Sequence, residues 1–370
     1  MKKTNVFIIS LILITLVLVG ASCGEDKFKE KEESIEKGIF TLAEKNVASG
    51  KNSLKVSNDG HIVYFFDSDE NKSIDTIIKT DANGKTKKEV KIKGGLLEED
   101  VQLDNIMAVD QSASKVVFAA TLPSQRDEYG GKKCLYVLSF DSESLIGIPN
   151  QGLSDHFEGA GWADAASVAI SPDGEKIVFG LRFWGISFGA AYDIGVAIVV
   201  ANSDGSGMKI LAEEDISLYV VGIDNSHRVF FAKKEDKYDY FLSVINADGS
   251  GEKNLGLKIN TGKISVSKNG IVAGTLDEKG EPVFVCDANG NILAKGGDPW
   301  GTVEISGNGE KVSSAEWDKG LFLYGVNNNF EKENILDKSY GNCAVHDVDE
   351  SGRIIVCLVN ETGELLSIVK

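Results

Sequence analysis

Histidine, cysteine and basic charge are the scarce features of this 370-residue chain, and each scarcity excludes something. There are four histidines. His61 and His227 fall in turn-like phrases, His156 in an insertion and His346 in a β-rich run. That scatter offers no ligand cluster at metal spacing, so no metal or other cofactor is expected. Beyond Cys23, the cysteines Cys134, Cys286, Cys343 and Cys357 contain no C-x-x-C pair, which argues against zinc. Cys343 and Cys357 sit on successive β-rich runs and read as two buried thiols or, in an oxidising compartment, as a disulfide. Lys and Arg number 39 against 56 Asp and Glu, a net charge of −17. So acidic a surface argues against nucleic acid and against electrostatic adhesion to anionic lipid. Long apolar runs are also missing, apart from Val6–Val19, which is short for a membrane span.

That run belongs to an ordered N-terminal phrase. Lys2 and Lys3 precede it and Leu18-Val19-Gly20-Ala21-Ser22-Cys23 ends it, so residues 1–22 read as a secretory signal. Removing it takes away two positive charges and leaves −19. Small residues directly before a cysteine resemble a bacterial lipobox. The resemblance implies a lipidated Cys23 carrying two or three acyl chains, enough for stable anchoring; ordinary cleavage with a free Cys23 is the alternative. Residues 24–37 hold ten charged side chains in fourteen, too few apolar groups to bury, and read with Cys23 as a solvated tether. Gly24, standing where an Asp commonly retains lipoproteins at the inner membrane, favours the outer membrane or cell surface.

From residue 38 to 370 one phrase recurs. Its clearest copy is VAISPDGEKIVFG at 168–180, followed by DIGVAIVVANSDGSGMKIL at 193–211. The first half reads as strand, tight turn and strand; the second as strand, Asp204-Gly205 hairpin and strand. The first-hairpin turn returns at Gly60, Ala113, Gly174, Ser226, Gly270, Gly309 and Gly352, with steps of 53, 61, 52, 44, 39 and 43 residues. A period of about 40–50 residues carrying four short strands predicts propeller blades. Gly, Asn and Asp supply the positive φ that two-residue hairpins need. The second hairpins, at Asn83-Gly84, Asp204-Gly205, Asp248-Gly249 and Asn289-Gly290, read as hairpin chemistry rather than calcium loops, since no distal Glu completes an EF-hand.

The phrase S-P-D-G-x-K-I-V-F with a following D-G-S-G is similar to the WD40-like repeat of TolB-like β-propellers. Ser171, Pro172, Asp173 and Gly174 match it; the second copy has Ser112-Ala113 and the fourth Asn225-Ser226 where Asp-Gly is expected. The fold expected is an all-β propeller of seven four-stranded blades, or six if one degenerate copy is no blade. The last copy runs out after three strands, and Ile39–Ala43 has no partner of its own. An open ring would expose a strand edge, so Ile39–Ala43 is expected to close it.

Blade geometry places the connections between second and third strands, and those between blades, on one face. The insertions 121–133, 150–165 and 182–192, with 298–301 and 315–320, belong to that loop face. So do all four tryptophans, Trp162, Trp184, Trp300 and Trp317, and with them Arg182, His156 and Tyr129. These seven residues are the candidate binding set, because loops on a rigid scaffold carry recognition. Gly185-Ile186-Ser187-Phe188-Gly189 matches G-x-S-x-G but lacks the strand-to-helix context of a nucleophile elbow. Asp155, Glu158 and Asp164 are the carboxylates available for glycosidic chemistry, yet no catalytic residue is assigned. The expected function is a membrane-anchored, non-catalytic propeller docking a protein or glycan partner in the cell envelope, and the resemblance implies envelope scaffolding. The alternative is a polysaccharide-acting hydrolase or lyase with its site in the central channel.

Overall fold

The computed structural model describes residues 39–43, 54–66, 75–84, 87–97, 102–127, 130–148, 153, 162–187, 190–214, 217–235, 239–278, 280–297, 302–316, 319–337, 342–360 and 363–369. Among them there is no helix, and thus none long and apolar enough to cross a membrane. The signal, Cys23 and the tether lie outside the described residues.

The strands follow the repeat. β1 (Ile39–Ala43) stands apart from the four-stranded sets that come after it. β2 (Leu54–Val56), β3 (Ile62–Phe66), β4 (Thr76–Thr80) and β5 (Lys87–Lys91) form the first blade. β6 (Gln102–Val109), β7 (Lys115–Asp127), β8 (Gly130–Ser139) and β9 (Ser144–Ile148) form the second. The third comprises β10 (Trp162–Ile170), β11 (Lys176–Ser187), β12 (Ala190–Asn202) and β13 (Lys209–Glu214). Next come β14 (Leu218–Ile223), β15 (Arg228–Lys234), β16 (Tyr240–Asn246) and β17 (Lys253–Val266). β17 then continues into β18 (Val272–Leu276), β19 (Val283–Cys286) and β20 (Ile292–Gly296), giving one seven-stranded sheet. Its first part pairs with β16 as an outer strand, and its last residues, Ile264–Val266, pair with β18 as an inner one. β21 (Val303–Ile305), β22 (Lys311–Glu316), β23 (Gly320–Gly325) and β24 (Glu331–Asp337) follow. The last group is β25 (Asn342–Val348), β26 (Ile354–Asn360) and β27 (Gly363–Val369). Its fourth strand is β1, antiparallel to β27 with Ile39 opposite Val369 and Thr41 opposite Ser367. The architecture is an all-β propeller.

Apolar burial lies between blades. One core cluster joins Phe65 and Ile77 to Met107 and Phe118 across the first seam. Another joins Val117 and Val137 to Phe179 and Phe183 across the second. A third joins Val178 and Ile198 to Leu218 and Phe231 across the seam between third and fourth blades.

A buried polar residue anchors each first-hairpin turn: Ser57, Asp110, Ser171, Asp224, Ser267, Ser306 and Asp349, all at most 3% exposed. Each accepts at its backbone carbonyl from the residue three further on. In six of them the side chain also accepts a backbone N–H beyond the turn, as Ser171 Oγ does from Lys176 N at 2.9 Å and Asp224 Oδ1 from Arg228 N at 2.9 Å; Ser57 Oγ instead donates to His61 O at 3.2 Å. Where the anchor is Asp224 or Asp349, an arginine four residues on completes an ion pair, Arg228 at 2.6 Å and Arg353 at 2.5 Å. The fourth copy corrects the sequence reading. His227, not Ser226, takes the left-handed position, with φ +56°, and donates its N–H to Asp224 O. The anchor there is Asp224 rather than Ile223, so the turn starts one residue later than the sequence alignment set it.

These turns also bond to one another around the axis. Asn58 N donates to Gln111 O and Gln111 N to Pro172 O; Asn225 N donates to Lys268 O and Lys268 N to Gly307 O. The chain breaks at Pro172, which has no N–H to pass on. Asn58 packs so closely on Gly307 that a Cβ there would lie 1.9 Å from its Oδ1. The hairpin end of the axial channel is thereby constricted.

Candidate functional site

The insertions at 121–133 and 182–192, read from sequence as loops, are extended hairpins. β7 and β8 remain paired out to Asp127 opposite Gly130, and β11 and β12 out to Ser187 opposite Ala190. The flanking strands stop sooner: β10 pairs with β11 as far as Trp162 opposite Trp184, and β13 with β12 as far as Glu214 opposite Val196. The last three pairs of β11 and β12 therefore stand clear of the sheet by about 10 Å. The glycines that suggested loops tolerate this. At Gly185 a Cβ would meet Tyr192 and Ile194 at 2.8 Å, so those side chains lie across the glycine.

Strand alternation aims Arg182 and Trp184 across the third seam toward the fourth blade, because Val178 on the same face packs there. Arg182 is half-buried, its guanidinium 5.7 Å from the Trp184 ring and its Nε 3.5 Å from Asp193 Oδ2. Burial raises the Asp193 carboxyl above its ordinary range, against the pull of Arg182 and the Gly195 backbone. On the other face of the fourth blade, packed toward the fifth, are Tyr219 and Tyr240, with ring centroids 5.7 Å apart, and Lys234, 5.7 Å from the Tyr240 ring. Burial raises the Tyr240 hydroxyl despite its hydrogen bond with Ser217, and Tyr219 adds to the rise. Tyr192, at 47% exposure, lies over Gly185 on the opposite face of the hairpin, on the side of Ile194 and the second seam.

Tyr219 also lines the axial cavity, of about 420 Å³, whose wall is built by β2, β6, β10, β14, β17, β21 and β25. One side of that wall is charged, with Lys55, Glu304 and Asp347; the other is apolar, with Ile106, Ala169 and Val221. Its polar groups largely serve the scaffold. Asp347 Oδ2 accepts from Val56 N at 2.9 Å, Ser167 Oγ from Val220 N at 3.2 Å and Ser265 Oγ from Ile305 N at 2.8 Å. Each bond satisfies an inner-strand N–H of the next blade. Burial raises the Asp347 carboxyl, opposed by Lys55 and by the Val56 and Val348 N–H groups.

Of the seven predicted loop-face residues, the structure describes the side chains of Arg182 and Trp184 and brings those two together. Trp162 stands opposite Trp184 in the strand register. His156, Tyr129, Trp300 and Trp317 lie outside the described residues, as do Asp155 and Glu158. Asp164 accepts from Lys133 N at 3.1 Å. Sequence reasoning missed Asp193, which pairs with Arg182, because its strand-like context looks no different from core.

The register bears on one open alternative, and one expectation is corrected. The register sets Cys343 opposite Leu358 and Cys357 opposite Ala344, so the two cysteines are not a cross-strand pair. Cys134 and Cys286 are free thiols, and burial pushes that of Cys286 up to about 12. The histidines were expected to stand apart from other ligand-type groups. Instead the third and fourth turns meet on the hairpin face, placing ligand atoms of Asp173, Glu175 and His227 within 4.8 Å of one another. His227 Nε2 lies 2.9 Å from Asp173 Oδ2 there, at the seam where Pro172 interrupts the backbone chain. Gly185–Ser187 of the G-x-S-x-G string continue an antiparallel strand, the wrong context for an elbow.

No protein-family profile matches this sequence, and no curated protein does. Solved structures do match in fold. An oligogalacturonate lyase in complex with manganese aligns over 90% of this chain and 92% of its own, at 11% identity and a TM-score of 0.60. The β-propeller domain of the Trilobed protease from Pyrococcus furiosus aligns over 88% and 96%, at 12% identity and a TM-score of 0.55. TolB from Acinetobacter baumannii aligns over 75% and 64%, at 16% identity, with a TM-score of 0.44 that is too low to weigh. At such identities the likeness establishes a shared propeller fold and nothing about chemistry.

Proposed function

We propose that this chain is a TolB-like, lipid-anchored, non-catalytic propeller of the bacterial cell envelope that docks a protein or glycan partner through its loop face. The observation carrying this reading is the projecting β11–β12 hairpin, which holds Arg182 and Trp184 together on its third-seam face and the exposed Tyr192 on the other. Rigid aromatic and arginine side chains are the usual energetic centre of a recognition surface. The basic start, apolar run and small-small-Cys ending support an anchor at Cys23, with residues 23–37 as the spacer to an outer-membrane or surface location.

A second reading is a hydrolase or lyase acting on polysaccharide in the channel. It is favoured by Glu304 and Asp347 lining one cavity, and by the lyase named among the fold neighbours. Against it, Asp347 is engaged by backbone N–H groups and its burial disfavours the carboxylate. In-cell crosslinking and pull-down separates the two readings. The wild type is expected to capture an envelope partner, and Trp162→Ala plus Trp184→Ala to lose it with an unchanged melting curve. Identical partner lists, or oligosaccharide cleavage abolished by Glu304→Gln, would reject docking as the function.

A further inference from the structure

We propose that Asp173, Glu175 and His227 form a divalent transition-metal site, fitted to zinc, that staples the third blade to the fourth on the hairpin face. It lies on the face opposite the docking surface and does not depend on it.

The ligand set decides the class of ion. Two carboxylates and an imidazole bring their ligand atoms within 4.8 Å of one another. Imidazole nitrogen suits zinc and its transition-metal neighbours, whereas calcium and magnesium take oxygen ligands. Zinc bonds of about 2.0–2.2 Å place tetrahedral ligand atoms roughly 3.3–3.6 Å apart. His227 Nε2 and Asp173 Oδ2, at 2.9 Å, need only open slightly to admit the ion. It then takes the place of the proton between them, with the ring N–H on Nδ1.

The turns hold two of the ligands in place. Asp173 Oδ1 accepts from Ser171 Oγ and from Glu175 N at 3.0 Å, which leaves Oδ2 for His227. His227 is fixed by its own turn, at φ +56° with its N–H on Asp224 O. A His–Asp hydrogen bond alone would explain those two residues. It does not explain Glu175, whose side chain has no hydrogen bond or ion pair among the described residues. Glu175 stands beside a second carboxylate, and like charges repel. The lysines at the third turn are engaged elsewhere: Lys115 Nζ on Gly174 O at 2.8 Å and Ser203 Oγ at 2.9 Å, Lys176 Nζ on Asn202 Oδ1 at 2.5 Å. A cation between the carboxylates removes the repulsion.

Its place in the ring supplies the purpose. Asp173 and Glu175 belong to the third turn and His227 to the fourth, so the ion joins two blades. This is the seam where Pro172 interrupts the turn-to-turn backbone bonds. The metal replaces the missing link.

Calorimetric titration and thermal melting of the chelator-treated intact protein with zinc chloride test the site, with calcium and magnesium chloride as parallel arms. Zinc should bind saturably and raise the melting temperature by mass action; calcium and magnesium should do neither. Glu175→Gln should leave the metal-free melting temperature unchanged yet weaken zinc binding by at least about tenfold, since even an outer-shell partner of a metal ligand is worth that much. A role in hydrogen bonding alone would not give that split. His227→Gln should abolish the zinc-induced rise, and His61→Ala, in the first blade, should leave it intact. No saturable zinc binding, or unchanged zinc affinity in folded Glu175→Gln and His227→Gln, would overturn the site. An equal rise with calcium would overturn the assignment to a transition metal.

Discussion

The ring is built differently in its two halves. Three residues beyond the carbonyl that closes each turn stand Tyr64, Phe118, Phe179 and Phe231 on the second strands of the first four blades. All four rings are essentially buried. In the next three blades the same position is Gly274, Ser314 and Val356. In two of these blades the missing volume comes from the third strand, as Phe284 in the fifth and Phe322 and Tyr324 in the sixth. The difference teaches that a blade seam needs a ring but not on a fixed strand. Gly274 has its own reason: the irregular β17 comes so near that a Cβ would meet Lys263 O at 2.9 Å.

The largest test of that comparison is Phe179→Ala against Ser314→Ala. Removing the ring should cost about 3–5 kcal/mol by denaturant unfolding. The serine change should be neutral or stabilising, because its buried Oγ has no hydrogen-bond partner. Equal losses at both sites would erase the distinction between the halves. Next in size, Gly274→Ala should cost about 1–3 kcal/mol as β17 is forced to shift, while Gly262→Ala, with only the Asn260 side chain near, should cost less.

A smaller and pH-dependent effect belongs to the sixth blade alone. Glu316 is buried, accepting from Tyr324 Oη and Lys332 Nζ, each at 2.6 Å. Burial alone would raise its carboxyl, but the Lys332 and Tyr324 bonds outweigh it and the pKa lies below the ordinary 4.5. A depressed carboxyl contributes stability above its unfolded pKa and loses it in more acidic solution. Glu316→Gln should therefore flatten the fall in melting temperature below pH 4.5; an unaltered acid limb would contradict the assignment. The smallest effect is expected at Pro172→Ala. It restores an N–H able to reach Asn225 O, and should shift stability by under about 1 kcal/mol while slowing amide exchange at the third and fourth turns.

Much of the propeller was legible because its signals are local. Turn glycines at 60, 174, 270, 309 and 352 take positive φ as the repeat requires, and Ile39–Ala43 was identified as an unpartnered strand. The position of His227 was not legible, because only the turn's hydrogen bonds show that Asp224, not Ile223, is its anchor. Nor were the projecting hairpins, since Gly and Pro read as loop while cross-strand pairing decides. The site was half legible. Trp184 and Arg182 stood out by composition, but Asp193 joined them only through the β11–β12 register. Cross-strand neighbours of that kind leave no trace in a single sequence.

The central claim is that recognition lies on the loop face and that the hairpin face is scaffold. Hydrogen–deuterium exchange on the protein with its crosslinked envelope partner, compared with the protein alone, tests it most directly. Protection should concentrate in β11 and β12 and at the loop-face ends of β14 and β16. Protection confined to the turns around Gly60, Gly174 and Gly270 would place the partner on the opposite face and contradict the account.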